Sequence, residues 1–164
     1  MNALRALLVL GVALVVQAGL GRLFPGSHRY VDVLLVPVAL YGVSSSQRGA
    51  MFMGCAAGLL SDTWFHAGPF GLNGFKRTLL GWLIGAVSGR LDLNQPGGRL
   101  AIGAAVALGD DLLDFGLRTL FDADPRFPGP VGLVVKALST ALLVAATGSI
   151  LDTRQRVPRP GRVM

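Results

Sequence analysis

Apolar residues are concentrated in six blocks along the chain, separated by short polar segments. A helix needs ~20 mostly apolar residues to cross a bilayer, with a range of ~17–25. The first, fifth and sixth blocks reach that length with their flanking residues. The second, third and fourth reach it only when extended to 30–45, 48–65 and 75–89, or else are partly re-entrant. The pattern predicts an all-α polytopic membrane protein, a compact bundle of about six transmembrane helices. The blocks are residues 6–20, 33–43, 49–60, 79–87, 100–121 and 131–151.

The composition favours lipid over water as the solvent of this chain. Of the 164 residues, 52% are hydrophobic and only 15% are charged, whereas a soluble domain carries about 25% charged residues. The longest connecting segment, 62–77, is too short for a separate domain. We therefore expect one transmembrane domain, 1–151, and a basic, disordered cytoplasmic tail, 152–164. A cleaved secretory signal in the first block is an alternative that would leave five spans.

The charges of the chain indicate its orientation. Lys and Arg outnumber the acids by 15 to 9, and every acid is Asp. The basic residues stand singly or in the tail rather than in a patch with interleaved aromatics, so nucleic-acid binding is not favoured. Alternate loops carry eight basic residues on the side of the termini and five on the other, Lys76 and Arg77 among the five. The positive-inside rule then places both termini in the cytoplasm.

Glycines recur at helical spacing in the third and fourth blocks. The spacing aligns them on one helix face, where another backbone can approach closely. Such faces serve either packing within the bundle or an interface with another membrane protein. The residues concerned are Gly54 and Gly58 in the third block and Gly81, Gly85 and Gly89 after it.

A charged stripe interrupts the fifth block. At ~100° per residue, Asp110, Asp111, Asp114 and Arg118 share one sector of a helix. A charge at mid-bilayer costs at least ~2.5–3.5 kcal/mol, so the stripe is expected to face the protein interior or a wet cavity. Asp114 and Arg118 have the spacing of an ion pair, and Lys136 in the sixth block would lie between them. One negative charge would remain, which a protonated carboxyl could absorb.

The same stripe permits a catalytic interpretation. It resembles the aspartate-rich motif with which prenyl-transferring enzymes hold magnesium against a diphosphate. Those enzymes use two facing clusters, and only one is present here. The two histidines, His28 and His66, have no acidic or Cys neighbour in sequence, and Cys55 is alone. We therefore expect no catalytic, cofactor or metal site.

The stretch from Tyr30 to Leu91 resembles the bacterial rod shape-determining protein MreD family. Asp32 precedes an apolar helix, a glycine-rich helix ends at Asp62, and a short loop reaches Gly71 before the next helix begins. The length, the six blocks and the acid in the fifth span fit the same layout. Carried over by position, Asp32, Gly58, Asp62 and Gly71 match the family. Val31 stands where the family has Pro, and the pair Asp110-Asp111 replaces a single acid.

The resemblance implies a scaffold without catalytic activity in the cell-elongation machinery. It implies an MreC-like bitopic partner and, indirectly, an MreB-like filament, RodA and a class B penicillin-binding protein. It also implies a bundle similar to the substrate-binding subunits of energy-coupling factor transporters. From the residues alone, we expect Asp62 to bracket the turn that follows it. A small-molecule transporter subunit and a magnesium-dependent lipid-diphosphate enzyme remain the alternative functions.

Overall fold

Six α-helices make up the regular structure of the computed structural model, which describes residues 3–24, 26–27, 30–65, 69–88, 95–121 and 129–155. No strand occurs within these ranges, so the predicted all-α class is confirmed. Each predicted apolar block falls within or overlaps one helix. The helices are α1 Ala3–Leu23, α2 Leu35–Ser44, α3 Gln47–Phe65, α4 Leu72–Ser88, α5 Pro96–Leu120 and α6 Pro130–Gln155.

Two of the described helices are long and apolar enough to cross a membrane, over Leu4–Leu23 and Pro130–Leu151. The other helices differ from simple spans for separate reasons. α2 has only 10 residues and α4 has 17. α5 has 25 residues, but the charged stripe interrupts its apolar sequence. Crossing of the bilayer by all six helices therefore remains a proposal.

The glycines of α3 and α4 pack these two helices against each other. A side chain at Gly54 would collide with the backbone of Arg77, and one at Gly58 with the backbone of Asn73. A side chain at Gly81 would likewise meet the Ala50 carbonyl, and one at Gly85 would lie 2.7 Å from the Gln47 Cα. Each step toward the C-terminus of α3 matches a similar step toward the N-terminus of α4. The two helices are thus an antiparallel pair with backbones in close contact, as small residues allow.

These glycine faces are occupied within the chain. Of the two interpretations of the pattern, internal packing is the one that the contacts of Gly54, Gly58, Gly81 and Gly85 support. Gly89 lies outside the described residues.

The helix α2 forms the centre of the core and contacts every other helix. Leu34, Leu35 and Val38 are completely or almost completely buried. α5 and α6 form a second close pair, in which a side chain at Gly103 would lie 2.7 Å from the Ala141 Cα. α1 contacts mainly α2.

Gln17 connects α1 to the backbone just before α2. Its side-chain amide donates a 3.2 Å hydrogen bond to the Val31 carbonyl, and its carbonyl oxygen accepts a 2.9 Å bond from the Val33 amide. A buried amide paired on both sides holds the helix in a fixed register.

The segment 62–77 is not the connector that the hydropathy pattern predicts. α3 continues to Phe65 and α4 begins at Leu72. The charged residues at the edges of these two apolar blocks are buried inside the helices and do not end them. Lys76 and Arg77, counted above as loop residues, lie in α4 and are 5% and 3% exposed. They therefore no longer count in the orientation argument. α6 also continues past the expected domain end to Gln155, and 156–164 lie outside the described residues.

Candidate functional site

A network of buried ion pairs joins α4, α5, α6 and the segment before α2. Asp110, 1% exposed, lies at its centre. Its Oδ2 is 3.3 Å from Lys76 Nζ and 3.0 Å from Lys136 Nζ. Its Oδ1 is 3.9 Å from Arg77 Nε. The carboxylate is therefore surrounded by three cations from two neighbouring helices.

The other two acids of α5 are also paired, partly with the same cations. Asp111 accepts a 2.5 Å hydrogen bond from Lys136 Nζ. Asp114 pairs with Lys76 Nζ at 3.0 Å and with Arg118 Nε at 2.7 Å. The predicted pair of Asp114 and Arg118 is thus confirmed.

Arg77 links this group to the start of α2. Its Nη2 donates a 2.5 Å hydrogen bond to Asp32 Oδ2, and its Nη1 donates to the Ala57 carbonyl at 3.4 Å. Asp32 Oδ1 in turn accepts a 3.1 Å bond from the Leu34 amide. The carboxylate therefore stabilises the entry into α2 and pairs with a buried guanidinium at the same time.

Among the described residues, four carboxylates and four cations make up the network, so the formal charge of this part is zero. The expected surplus of one negative charge is wrong, because the sequence count left out Asp32 and both basic residues of α4. Balanced pairing is what low-dielectric surroundings require of buried charges. The members are Asp32, Lys76, Arg77, Asp110, Asp111, Asp114, Arg118 and Lys136.

Lys136 lies roughly one and a half helical turns from its expected level. Its ammonium group contacts Asp110 and Asp111, whereas the sequence predicts a position between Asp114 and Arg118. The expectation assumed that α5 and α6 meet at the same level at their connection. In the structure Gly103 faces Ala141. The start of α6 at Pro130 therefore lies near the level of Asp114, and α5 continues roughly one and a half turns beyond it.

Sequence reasoning missed the contribution of Lys76 and Arg77. A charged pair within the first turns of an apolar helix looks like a loop end when only hydropathy is considered. The charge count contained a signal for them. The acids of the fifth span outnumbered the cations assigned to them, which indicates that further basic residues are buried nearby. Gln17 was also missed, and its only signal was a polar residue inside the first apolar block.

The charged network forms the floor of a large open cavity of about 1320 Å³. One wall comes from the second half of α1, including Leu14, Val15 and Ala18. The aromatic residues Trp64 and Phe65 of α3 contribute another part. The lining residues come from the later half of α1, the end of α3, the start of α4, the later half of α5 and the start of α6. The cavity therefore lies toward one end of the bundle.

Asp62 holds the turn between α3 and α4. Its Oδ2 accepts hydrogen bonds from the amides of Gly71 at 3.0 Å and Gly74 at 3.1 Å. Its Oδ1 accepts a 2.7 Å bond from Asn73 Nδ2. Gly71 has a φ of +93°, which favours glycine. These bonds agree with the interpretation of Asp62 as the residue that brackets the turn.

The three aspartates of α5 do not form a metal site in the described part of the chain. No group of three His, Cys, Asp or Glu residues there is arranged to hold a metal ion. Asp110, Asp111 and Asp114 instead each accept hydrogen bonds from Lys or Arg, and a magnesium ion would have to displace these partners. His28 and His66 lie outside the described residues.

Neither a family model, nor a curated protein, nor a solved structure matches this chain.

Proposed function

We propose that this protein is a non-enzymatic integral membrane scaffold of the bacterial cell-elongation machinery. In this proposal all six helices cross the inner membrane and both termini are cytoplasmic. The scaffold binds an MreC-like bitopic protein. Through it the scaffold acts with an MreB-like filament, RodA and a class B penicillin-binding protein in lateral peptidoglycan synthesis and rod shape. The resemblance in residues and layout from Tyr30 to Leu91 supports this assignment.

The exposure of the apolar helices supports the membrane location. Only 22% of the apolar window of α1 and 28% of that of α6 are buried inside the protein. The core helix of a soluble protein would be mostly buried, so these two helices do not play that role. Apolar surface of this extent is stable against lipid or a partner, not against water.

The observation that carries the scaffold proposal is the neutral ion-pair network. Asp110, Asp111 and Asp114 are the chain's most chemically suggestive residues, and each is paired with a basic side chain. Asp110 Oδ1 and Asp111 Oδ2 make no hydrogen bond with the described residues, but Lys136 holds each of these carboxylates through its other oxygen. Paired carboxylates join helices, and that is a structural task.

The partner's helix is proposed to pack on the outer face of α1. The glycine faces of α3 and α4 are already filled by each other. α1 contacts mainly α2, and its exposed residues Leu4, Leu8 and Val15 share a stripe with Gly11. A side chain built on Gly11 meets no atom within 4 Å, so a helix could approach closely there.

The test is purification of the tagged full-length chain from its own cells in mild detergent, followed by mass spectrometry of its companions. We expect a single-span wall-synthesis protein of the MreC type among them. Gly11→Leu should reduce its recovery several-fold, because the new side chain pushes the partner away. Gly116→Leu is the matched control, since Gly116 on α5 also faces open space. Unchanged recovery with Gly11→Leu would contradict the proposed face, and absence of any such companion would contradict the function.

A small-molecule transporter subunit is the second candidate. The cavity favours it, because the cavity reaches Asp110 and Asp111, as a substrate site in such a subunit would. A transporter of this kind requires an ATP-hydrolysing partner. Recovery of such a partner in the same purification, in place of wall-synthesis proteins, would decide for this candidate.

A further inference from the structure

The described lining of the cavity carries one more positive than negative charge. Its floor is the neutral network, whose four carboxylates are matched by four cations. The additional cation is Arg22, in the last turn of α1. Arg22 is exposed and forms no ion pair with the described part of the chain. A ligand with a single negative charge would therefore balance the charge of the described lining.

Two lysines of the floor each make fewer hydrogen bonds than they have N–H groups, and two carboxylate oxygens beside them, Asp110 Oδ1 and Asp111 Oδ2, also make none with the described residues. An ammonium group has three donors. Lys76 uses two of them, on Asp110 and Asp114. Lys136 also uses two, on Asp110 and Asp111. Each of these lysines is more than nine-tenths buried and lines the cavity, so each has an N–H left for an acceptor on a ligand.

The cavity end of the bundle carries a set of exposed aromatic side chains. Tyr30 is 50% exposed, Trp64 60% and Phe70 73%. Aromatic residues of membrane proteins concentrate at the level of the lipid head groups. If the helices cross the bilayer as proposed, the cavity lies at the depth where phosphodiester groups are found. Its apolar α1 wall, with Leu14 and Ala18, then continues toward the acyl chains.

We propose that this cavity binds the head group of a singly charged anionic phospholipid, with the phosphodiester between Arg22 and the floor lysines and the first part of the acyl chains along α1. The volume of about 1320 Å³ exceeds the ~300–1,000 Å³ of typical small-ligand pockets, which suits a head group together with part of its chains. A zwitterionic lipid would leave the charge of Arg22 uncompensated. The proposal rests on the proposed membrane location and not on the role in cell elongation.

The experiment titrates defined lipids onto the purified full-length protein in detergent and counts bound lipids by native mass spectrometry. Phosphatidylglycerol should bind more tightly than phosphatidylcholine. Arg22→Gln should weaken phosphatidylglycerol binding about fivefold, which is the contribution of one basic residue to the binding of anionic lipid. Arg5→Gln, at the other end of α1, is the control and should leave the binding unchanged. Equal affinity for the two lipids in the unmodified protein would overturn the proposal.

A second pair of variants tests the cavity without changing charge. Gly19→Leu should weaken phosphatidylglycerol binding tenfold or more, because Gly19 lines the cavity and a Cβ there meets no atom within 4 Å. Gly116→Leu is the control, since Gly116 faces open space but does not line the cavity. Thermal unfolding is measured to check that both variants fold. Unaltered binding by Gly19→Leu would overturn the assignment of the lipid to this cavity.

A third arm distinguishes a lipid from a soluble phosphate. Glycerol phosphate is added in competition with phosphatidylglycerol at equal concentration. The proposal expects no displacement, because the acyl chains contribute to binding. Displacement would identify the ligand as a soluble anion and would overturn the lipid assignment. None of these outcomes affects the recovery of protein companions, so failure here is separable from failure of the proposed scaffold.

Discussion

Lys136 shows at the scale of a single residue how the buried charges depend on one another. Its ammonium lies between Asp110 at 3.0 Å and Asp111 at 2.5 Å. Desolvation penalises each of these groups, and their mutual attraction offsets the penalty. Removal of one partner therefore leaves a buried charge without compensation, whereas removal of both partners does not.

We predict that Lys136→Met destabilises the protein by about 3–5 kcal/mol. The double variant Lys136→Met/Asp111→Asn should be more stable than Lys136→Met alone, since the stranded carboxylate is gone. The measurement is denaturant unfolding of the purified protein in detergent micelles. Lys136→Met/Asp114→Asn is the control, because Asp114 pairs with Lys76 and Arg118. Simple additivity for Lys136 and Asp111 would contradict their pairing.

The sequence predicts part of this network and misses the rest for a physical reason. Helical periodicity places the acids of α5 in one sector and suggests Lys136 as a partner. Asp32 and Arg77 are 45 positions apart in the chain, and no local pattern connects them. Their pairing arises only when α2 and α4 pack together. The presence of an inward charged stripe could therefore be predicted, but its full complement of partners could not.

At the scale of elements, α3 and α4 depend on glycine for their close approach. The spacing of the glycines predicts a close-packing face, and the structure identifies the neighbour as the other glycine-bearing helix. The exact helix bounds were less predictable. Lys76 and Arg77 end an apolar block in the sequence, although they lie inside α4, because buried ion pairs allow a helix to continue through charged positions.

Gly81→Ala should lower the free energy of unfolding by about 1–3 kcal/mol, the range for overpacked cores. Even one methyl group at Gly81 would meet the carbonyl of Ala50, so the two helices would have to separate. Gly11→Ala, where the methyl faces open space, should instead be neutral or stabilising by up to about 1 kcal/mol. The same unfolding measurement compares the two. A stable Gly81→Ala variant would show that the pair is looser than described.

The turn between these helices gives a prediction of its own. Asp62→Ala should destabilise the protein by about 2 kcal/mol, the upper range for loss of a helix cap, because the amides of Gly71 and Gly74 lose their acceptor. The adjacent Thr63→Ala is the matched control, since Thr63 is exposed and its hydroxyl bonds only to carbonyls of its own helix. An equal effect of both substitutions would argue against Asp62 as the residue that holds the turn.

At the scale of the whole molecule, the number of helices that cross the membrane decides on which side of it the charged end of the bundle lies. An all-α bundle follows from the apolar blocks and is confirmed. The crossing of the short α2 and of the charged α5 does not follow from hydropathy. α2 is mostly buried among other helices, whereas α5 exposes apolar side chains such as Leu112 and Leu120 beside its buried charged stripe.

Cysteine labelling tests the proposed crossings and orientation. In a Cys55→Ser background, Phe70→Cys should react with a membrane-impermeant maleimide in intact cells, because the proposed topology places the turn between α3 and α4 outside. Ser46→Cys, between α2 and α3, should react only after lysis. Both positions are exposed. Labelling of Ser46→Cys in intact cells, or of neither position, would contradict the six-span arrangement.

The neutral network has a consequence for biogenesis. If all six helices cross the membrane as proposed, the charged residues of the network enter it at different times as the chain is made: Asp32 first, then Lys76 and Arg77, then the three aspartates of α5, and Lys136 last. Until α6 arrives, α5 carries carboxylates that lipid does not tolerate. The final helix thus completes electrical neutrality, and a chain truncated before it would be expected to remain with the insertion machinery or be degraded.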